Sequence, residues 1–204
     1  DYLLPRDVVT AISRESITGL AGVPPLWSAL AGQDWPASVS EHLRYVTNSG
    51  GVLPQAVLGK LRQHWPRTKV FLMYGLTEAF RSTYLPAEHI DQHPDSIGIA
   101  IPNADVRVLR EDGSECAAGE PGELVHSGPL VAQGYWGDPM ATAARFRPAP
   151  EFMQGSRGVW SGDTVWRNDE GFLFFSGRRD GQLKTSGYRV SPTEVEEVAY
   201  STGL

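Results

Sequence analysis

Tyr74-Gly75-Leu76-Thr77-Glu78 comes directly after the apolar run Val70-Phe71-Leu72-Met73. A short apolar run of this kind reads as a buried strand. The five residues that turn out of it offer, in quick succession, an aromatic face, a glycine, a hydroxyl and a carboxylate. That set suits a nucleotide: a ring to pack on a base, a small residue for close approach, a hydroxyl for a phosphate and an acid for a divalent metal. A strand end followed by an ordinary polar turn would carry the same letters, because a five-residue match is weak by itself. The rest of the chain decides.

Upstream, the pattern alternates between helix and strand. Residues 6–12 follow Pro5 with Val8, Val9 and Ile12 at helical spacing. Residues 17–23 form a short strand candidate that stops at Pro24-Pro25, and residues 26–30 start a helix that Gly32 closes. Tyr45-Val46-Thr47 is a second strand candidate, with the loop Asn48-Ser49-Gly50-Gly51 directly after it. Pro54 opens another helix with Val57, Leu58 and Leu61 on one face, and residues 69–73 are the third strand. This order predicts a parallel sheet, whose ligands bind outside the carboxyl ends of the strands. Gly50-Gly51 and residues 74–78 are both expected at that edge.

Downstream the character becomes β. Residues 86–94 are a polar connector whose His89 and His93 stand one helical turn apart, with no third metal ligand nearby in sequence. Residues 104–110 alternate, Glu111-Asp112-Gly113 is a hairpin turn, and Gly122-Glu123-Leu124-Val125-His126 is a strand. Residues 131–136 read as a further strand and residues 139–146 as a brief helix. Val159-Trp160 leads through Ser161-Gly162-Asp163 into residues 164–167, and Asn168-Asp169-Glu170-Gly171 turns the chain into residues 172–176. Short strands with glycine turns at this spacing predict a small barrel or sandwich. After Phe175 the chain is basic and glycine-punctuated up to Gly187, a linker into a last unit whose helix Thr193 can cap. The expected organisation is an α/β lobe over residues 1–95, a β-barrel subdomain over 96–179, and a hinge with the first elements of a C-terminal domain over 180–204.

The composition narrows the function classes. A hydrophobic fraction of 41% over 204 residues supports a real core. No apolar run reaches the roughly 18 residues of a membrane span. A net charge of −6 gives no electrostatic footprint for nucleic acid, so the six tryptophans read mostly as core packing rather than as base-stacking platforms. Cys116 is the single cysteine, which excludes an internal disulfide and fits a reducing, cytoplasmic compartment; with no general base beside it in sequence it reads as a bystander thiol. The chain starts at Asp1 without a signal pattern and stops just after a helical start, so it is expected to be a fragment of a larger protein. Apolar surface left exposed by such a truncation predicts self-association.

Three stretches stand in order: Asn48-Ser49-Gly50-Gly51, then Tyr74-Gly75-Leu76-Thr77-Glu78, then Ser161-Gly162-Asp163 followed by Gly177-Arg178-Arg179-Asp180 and residues 184–187. With Gly122-Glu123-Leu124 and Gly134-Tyr135-Trp136, this sequence resembles the AMP-forming adenylating enzymes: acyl-CoA synthetases, luciferases and the adenylation domains of peptide synthetases. The resemblance covers nearly the whole chain, and residues 3–30 look more like the acyl-CoA ligase branch.

The resemblance implies an ATP/AMP site at the junction of a large domain and a small mobile one. Gly50 and Gly51 would line the adenine and acyl pocket. Tyr74 would pack on the adenine, with Gly75 allowing close approach. Thr77 would hydrogen-bond the α-phosphate and Glu78 would hold Mg²⁺. Asp163 would accept from both ribose hydroxyls and Arg178 would reach the same ribose. Asp180 would be the hinge, and Lys184 and Gly187 would belong to the face presented for thioester formation. The chemistry suits these types: a carboxylate attacking a phosphate brings two anions together, and metal and hydrogen-bond donors offset the repulsion. A carboxylate also suits a diol, since it only accepts.

The sequence departs from the family pattern in places. Ser161 stands where threonine is usual, and Met73 where many members have glycine. The phosphate loop expected before residue 1 and the adenylation lysine expected after residue 204 lie outside the sequence, so this stretch alone is expected to be inactive. The implied parent activates a carboxylic acid with ATP and passes the acyl group to coenzyme A. The alternatives are a ligase that loads a carrier protein and, in a different class, a non-catalytic nucleotide-binding or interaction module.

Overall fold

The computed structural model describes residues 4–179, 183–185, 188–190 and 192–202. Two units form: Asp1–Met73, Leu85–Asp95 and Glu197–Leu204 make one, and Tyr74–Tyr84 with Ser96–Glu196 make the other.

In the first unit, Pro5 presets φ at the start of helix α1 (Pro5–Arg14). Asp7 in its first turn and Arg14 in its last suit the helix dipole, and Val9 and Ile12 are buried. Strand β1 (Gly19–Gly22) leads into α2 (Pro24–Ala31), again started by proline and burying Trp27, Leu30 and Ala31. Gly32 ends α2 at φ −91°, so the helix closes there without the left-handed cap that a glycine would allow. The short α3 (Val39–His42), which has too few turns for a visible period, precedes β2 (Tyr45–Asn48). Helix α4 (Gln55–His64) follows Pro54 and buries Val57, Leu58 and Leu61. Strand β3 (Lys69–Leu76) comes next. β1, β2 and β3 run parallel and in step, from Gly19, Tyr45 and Lys69 to Gly22, Asn48 and Leu72. The expected parallel sheet is therefore present. Trp27 and Trp65, each 1% exposed, meet edge to face at 6.5 Å, and Trp35 stands edge-on to Trp65 at 4.5 Å. Such pairs add roughly 0.5–1.5 kcal/mol beyond buried area.

The last three residues of β3 belong to the second unit. Thr77-Glu78 is a two-residue turn into β4 (Ala79–Leu85). Residues 74–76 thus stay in the strand instead of leaving it. Gly75 permits this, because a Cβ there would lie 2.3 Å from the Phe80 carbonyl oxygen. The remaining strands are β5 (Ser96–Ala100), β6 (Asp105–Leu109), β7 (Gly122–Ser127), β8 (Phe146–Pro148), β9 (Arg157–Arg167) and β10 (Leu173–Arg178), with helix α5 (Pro139–Arg145) before β8. A hairpin of β11 (Leu183–Thr185) and β12 (Tyr188–Val190) and then α6 (Pro192–Thr202) follow.

The expected small barrel is not formed. Within this unit the strand order is β4-β5-β10-β9-β7-β6, with β8 also on β9, and the sheet is open. The eleven-residue β9 gathers β7, β8 and β10 around itself, while among the described residues the outer edge of β6 is met only by the bridge from Leu109 to Glu115. A path organised around one long strand keeps two edges, and closure would remove both. Residues 131–136 also fail to form a strand. Only Val131 bridges, to Ala79, because Gly134 and Gly137 take positive φ and turn the chain away.

The core of this unit is Val108, Cys116, Leu124, Val165 and Leu173, with Tyr74 and Phe175 packed against it. Burial pushes the Cys116 thiol up, as an inert core cysteine requires. Trp136 is an exception to the core expectation, being fully exposed. Among the described residues no helix is long and apolar enough to cross a membrane.

His126 on β7 is fully buried, and its Nδ1 shares a hydrogen bond with Ser82 Oγ at 2.8 Å. Burial pushes its pKa below the ordinary 6.5, against a smaller opposing effect of Asp105. The unfolded chain therefore binds this proton at a pH where the folded chain does not. Between the lowered folded value and about 6.5, stability should rise with pH by at most about 1.4 kcal/mol per pH unit from this group. Its favourable part is lost as pH falls through the folded value. Urea midpoints measured from pH 5 to 8 should lose part of their slope in His126→Asn, and an unchanged slope would show that His126 is not the group responsible.

Candidate functional site

Asp163 and Arg178 are direct cross-strand partners on β9 and β10. Their separation in sequence is a consequence of the hairpin between them. Asn168 Oδ1 accepts from Glu170 N at 3.1 Å, as in an Asx turn, and from Phe172 N at 2.8 Å, which fixes the turn. A bulge between Phe175 and Gly177 then inserts one residue, so that Arg178 rather than Gly177 opposes Asp163. Arg178 Nη1 lies 3.6 Å from Asp163 Oδ1, with the guanidinium half-exposed and the carboxylate buried.

Tyr74 reaches the same carboxylate. Its hydroxyl donates to Asp163 Oδ2 at 2.5 Å, while its ring packs on the apolar core of the unit. Burial, and then the neighbouring Asp163 charge, push the phenol far above its ordinary range, so it stays a proton donor. The Asp163 N–H donates to Ser161 Oγ at 3.1 Å. Gly162 sits at φ +72° and donates its N–H to Glu123 Oε1 at 2.8 Å. Glu123 is in turn held by Arg179 Nη1 at 2.7 Å. The turn that presents Asp163 is thus braced from both sides.

Glu78, in the β3–β4 turn, forms a second group. Tyr135 donates its hydroxyl to Glu78 Oε1, and Arg145 Nε lies 3.5 Å from the same oxygen. Burial would raise this carboxyl, but the hydrogen bond from Tyr135, a backbone bond and Arg145 outweigh it and hold Glu78 below its ordinary value. It is an ionised carboxylate at neutral pH. Thr77, beside it, is exposed. Among the described residues no group of three or more His, Cys, Asp and Glu could hold a metal. As an ionised carboxylate, Glu78 is the kind of oxygen ligand Mg²⁺ takes.

Gly50 and Gly51 lie in the first unit, in the loop after β2. Gly50 is at φ +80°, and the buried Asn48 donates Nδ2–H to the Gly51 carbonyl at 2.9 Å. Lys184 lies on β11 opposite Arg189 of β12. Asp180 and Gly187 are outside the described residues. Of the expected site residues, the structure brings Tyr74, Asp163 and Arg178 together. Arg145, paired with Glu78, also lies beside Gly162, the residue before Asp163: a Cβ on Gly162 would lie 2.8 Å from Arg145 Nη1. Sequence reading did not find the contacts of Tyr135 and Arg145 with Glu78. Asp138-Pro139 marks the start of α5, but no local signal says where that helix lies against Glu78.

A family model described as AMP-binding enzyme matches residues 1–136. Benzoate–CoA ligase of Thauera aromatica is 37% identical over 196 residues, covering 94% of this chain and 35% of the relative. D-alanine–D-alanyl carrier protein ligase of Bacillus velezensis is 35% identical over 151 residues, covering 72% of this chain and 29% of the relative. O-succinylbenzoate coenzyme A synthetase from Bacillus subtilis, solved in complex with ATP and magnesium ion, superposes with a TM-score of 0.81 at 26% identity, over 98% of this chain and 39% of that one. The chain spans about a third of the length of these relatives.

Proposed function

We propose that this chain, which belongs to the AMP-binding enzyme family, carries the AMP-recognising part of a ligase that activates a carboxylic acid with ATP and transfers the acyl group to coenzyme A. The observation that carries this reading is the convergence of Tyr74 and Arg178 on the Asp163 carboxylate, with the ionised Glu78 paired to Arg145 beside Gly162. Asp163 accepts from the ribose hydroxyls, and Arg178 reaches the same sugar. Tyr74, held by its hydroxyl, offers its ring edge to the adenine, with Gly75 keeping the strands close. The exposed Thr77 hydroxyl donates to the α-phosphate. Glu78 holds Mg²⁺, which would neutralise phosphate charge as the acid attacks. Gly50 and Gly51 are assigned to the adenine and acyl pocket, and Lys184 to the face used in thioester formation. The organisation into residues 1–95, 96–179 and 180–204 belongs to the same reading, with the middle part an open β subdomain.

The acceptor has a specific rival. The relation to a D-alanyl carrier protein ligase supports a phosphopantetheine-bearing carrier in place of free coenzyme A. Assaying the full-length protein for AMP release with a panel of carboxylic acids, with coenzyme A in one series and carrier protein in the other, tests the proposal. Turnover with coenzyme A is expected, and turnover with the carrier alone would overturn that choice of acceptor.

A further inference from the structure

We infer that Arg145 is an additional phosphate-binding residue of this site, pairing with Glu78 while no nucleotide is bound and turning to the α-phosphate of AMP when one arrives. The inference rests on the nucleotide reading above. Its starting point is position. A nucleotide seated with its ribose on Asp163 and its metal on Glu78 must run its α-phosphate between those two carboxylates, because that phosphate links the sugar to the metal. The Arg145 guanidinium occupies this interval. Its Nε is 3.5 Å from Glu78 Oε1, and its Nη1 comes within 2.8 Å of the place a Gly162 Cβ would take, next to Asp163. The guanidinium is there because residue 162 has no side chain.

The way Arg145 is held supports a built position. Asp138 caps α5 by accepting from Ala141 N at 2.8 Å, and Tyr135 donates its N–H to Thr142 Oγ1 at 2.9 Å. One helix and the loop before it thus deliver both groups that engage Glu78. The side chain of Arg145 is 26% exposed, enough for a ligand to reach and little enough for its charge to matter. Electrostatics gives the reason for it. Asp163 and Glu78 are both carboxylates, and an anionic nucleotide placed between them needs compensation beyond a single metal ion. A guanidinium offers a planar fork that fits phosphate oxygens in pairs. Its present partner competes only weakly, since Tyr135 can keep Glu78 Oε1 hydrogen-bonded after Arg145 departs.

The test compares AMP with adenosine, without metal, by ligand-observed NMR titration in EDTA on the 204-residue chain and on R145Q. Loss of one charge-assisted contact should weaken AMP about tenfold in R145Q. Adenosine, which lacks the phosphate, should bind both chains equally. Equal AMP affinity in the two chains overturns the inference and leaves the nucleotide reading intact. A parallel loss of AMP and adenosine also overturns it, by making Arg145 a structural residue. Failure of the unaltered chain to bind AMP overturns the nucleotide reading itself, and the inference with it.

Discussion

Gly75→Ala should destabilise the second unit by about 3 kcal/mol, the upper end of overpacking costs, and weaken nucleotide binding with it. The reason is steric and does not involve φ. The added Cβ would meet the Phe80 carbonyl oxygen at 2.3 Å, its carbon at 2.9 Å and Arg81 Cα at 3.0 Å. All three are backbone atoms, so no rotamer change relieves the clash and β3 must part from β4. Tyr74 is the preceding residue, and its hydroxyl would be drawn from Asp163, so the damage reaches the site. The same substitution at Gly59 should act oppositely. Gly59 is exposed inside α4 with nothing within 4 Å of a Cβ, and alanine there should add up to about 1 kcal/mol through helix propensity. Urea unfolding of both variants checks the pair. A Gly75→Ala midpoint no lower than that of the unaltered chain would mean that the strands do not approach as described.

Local rules carried the first unit, except the short α3, because its other helices and its strands are announced by residues within them. Pro5 and Pro54 stand at helix starts, Val57, Leu58 and Leu61 repeat at helical spacing, and the apolar run Val70 to Met73 lies in β3. The parallel order then follows from alternation alone. The second unit was legible in its turns and not in its closure. Asn168 to Gly171 forms the turn its letters describe, because the Asn168 side chain bonds its own neighbours. Whether a set of such hairpins closes is decided by pairing at the sheet edges, and β6 carries no local mark of being an edge, nor β4 of continuing onto β3. The site divides the same way. Asp163 and Arg178 were brought together by the family resemblance; the hairpin between them alone would not have done it, because a bulge after Phe175 sets their register. Arg145 and Tyr135 could not be paired with Glu78, because that contact depends on where α5 is set down by the whole sheet. Residues 131–136 failed for a related reason: apolar letters suggested a strand, and Gly134 among them, at φ +144°, lets the chain turn away.

Asp163→Ala should lower AMP affinity about a hundredfold, and a double-substitution cycle can assign that loss to the ribose. Hydrogen bonds to a charged group contribute about 1.5–3 kcal/mol each, so two ribose hydroxyls on one carboxylate account for a change of this size. The variant also removes the acceptor of the Tyr74 hydroxyl, which is bound at 2.5 Å. An unpartnered phenol in that position costs stability, and a bare loss of binding could then reflect a displaced ring. Pairing the substitution with a change in the ligand separates the two effects. In the unaltered chain, 2′-deoxy-AMP should bind about tenfold more weakly than AMP, for loss of one charge-assisted bond. In Asp163→Ala the two ligands should bind alike, since the group that told them apart is gone. Asp163→Asn keeps an oxygen for Tyr74 and is the gentler control: it should preserve the fold and still lose most of the discrimination, because its amide nitrogen is a donor where the second hydroxyl needs an acceptor. If Asp163→Ala still preferred AMP over 2′-deoxy-AMP by the same factor, the ribose would be read elsewhere, and the bond between Tyr74 and Asp163 would be a structural tie within the sheet.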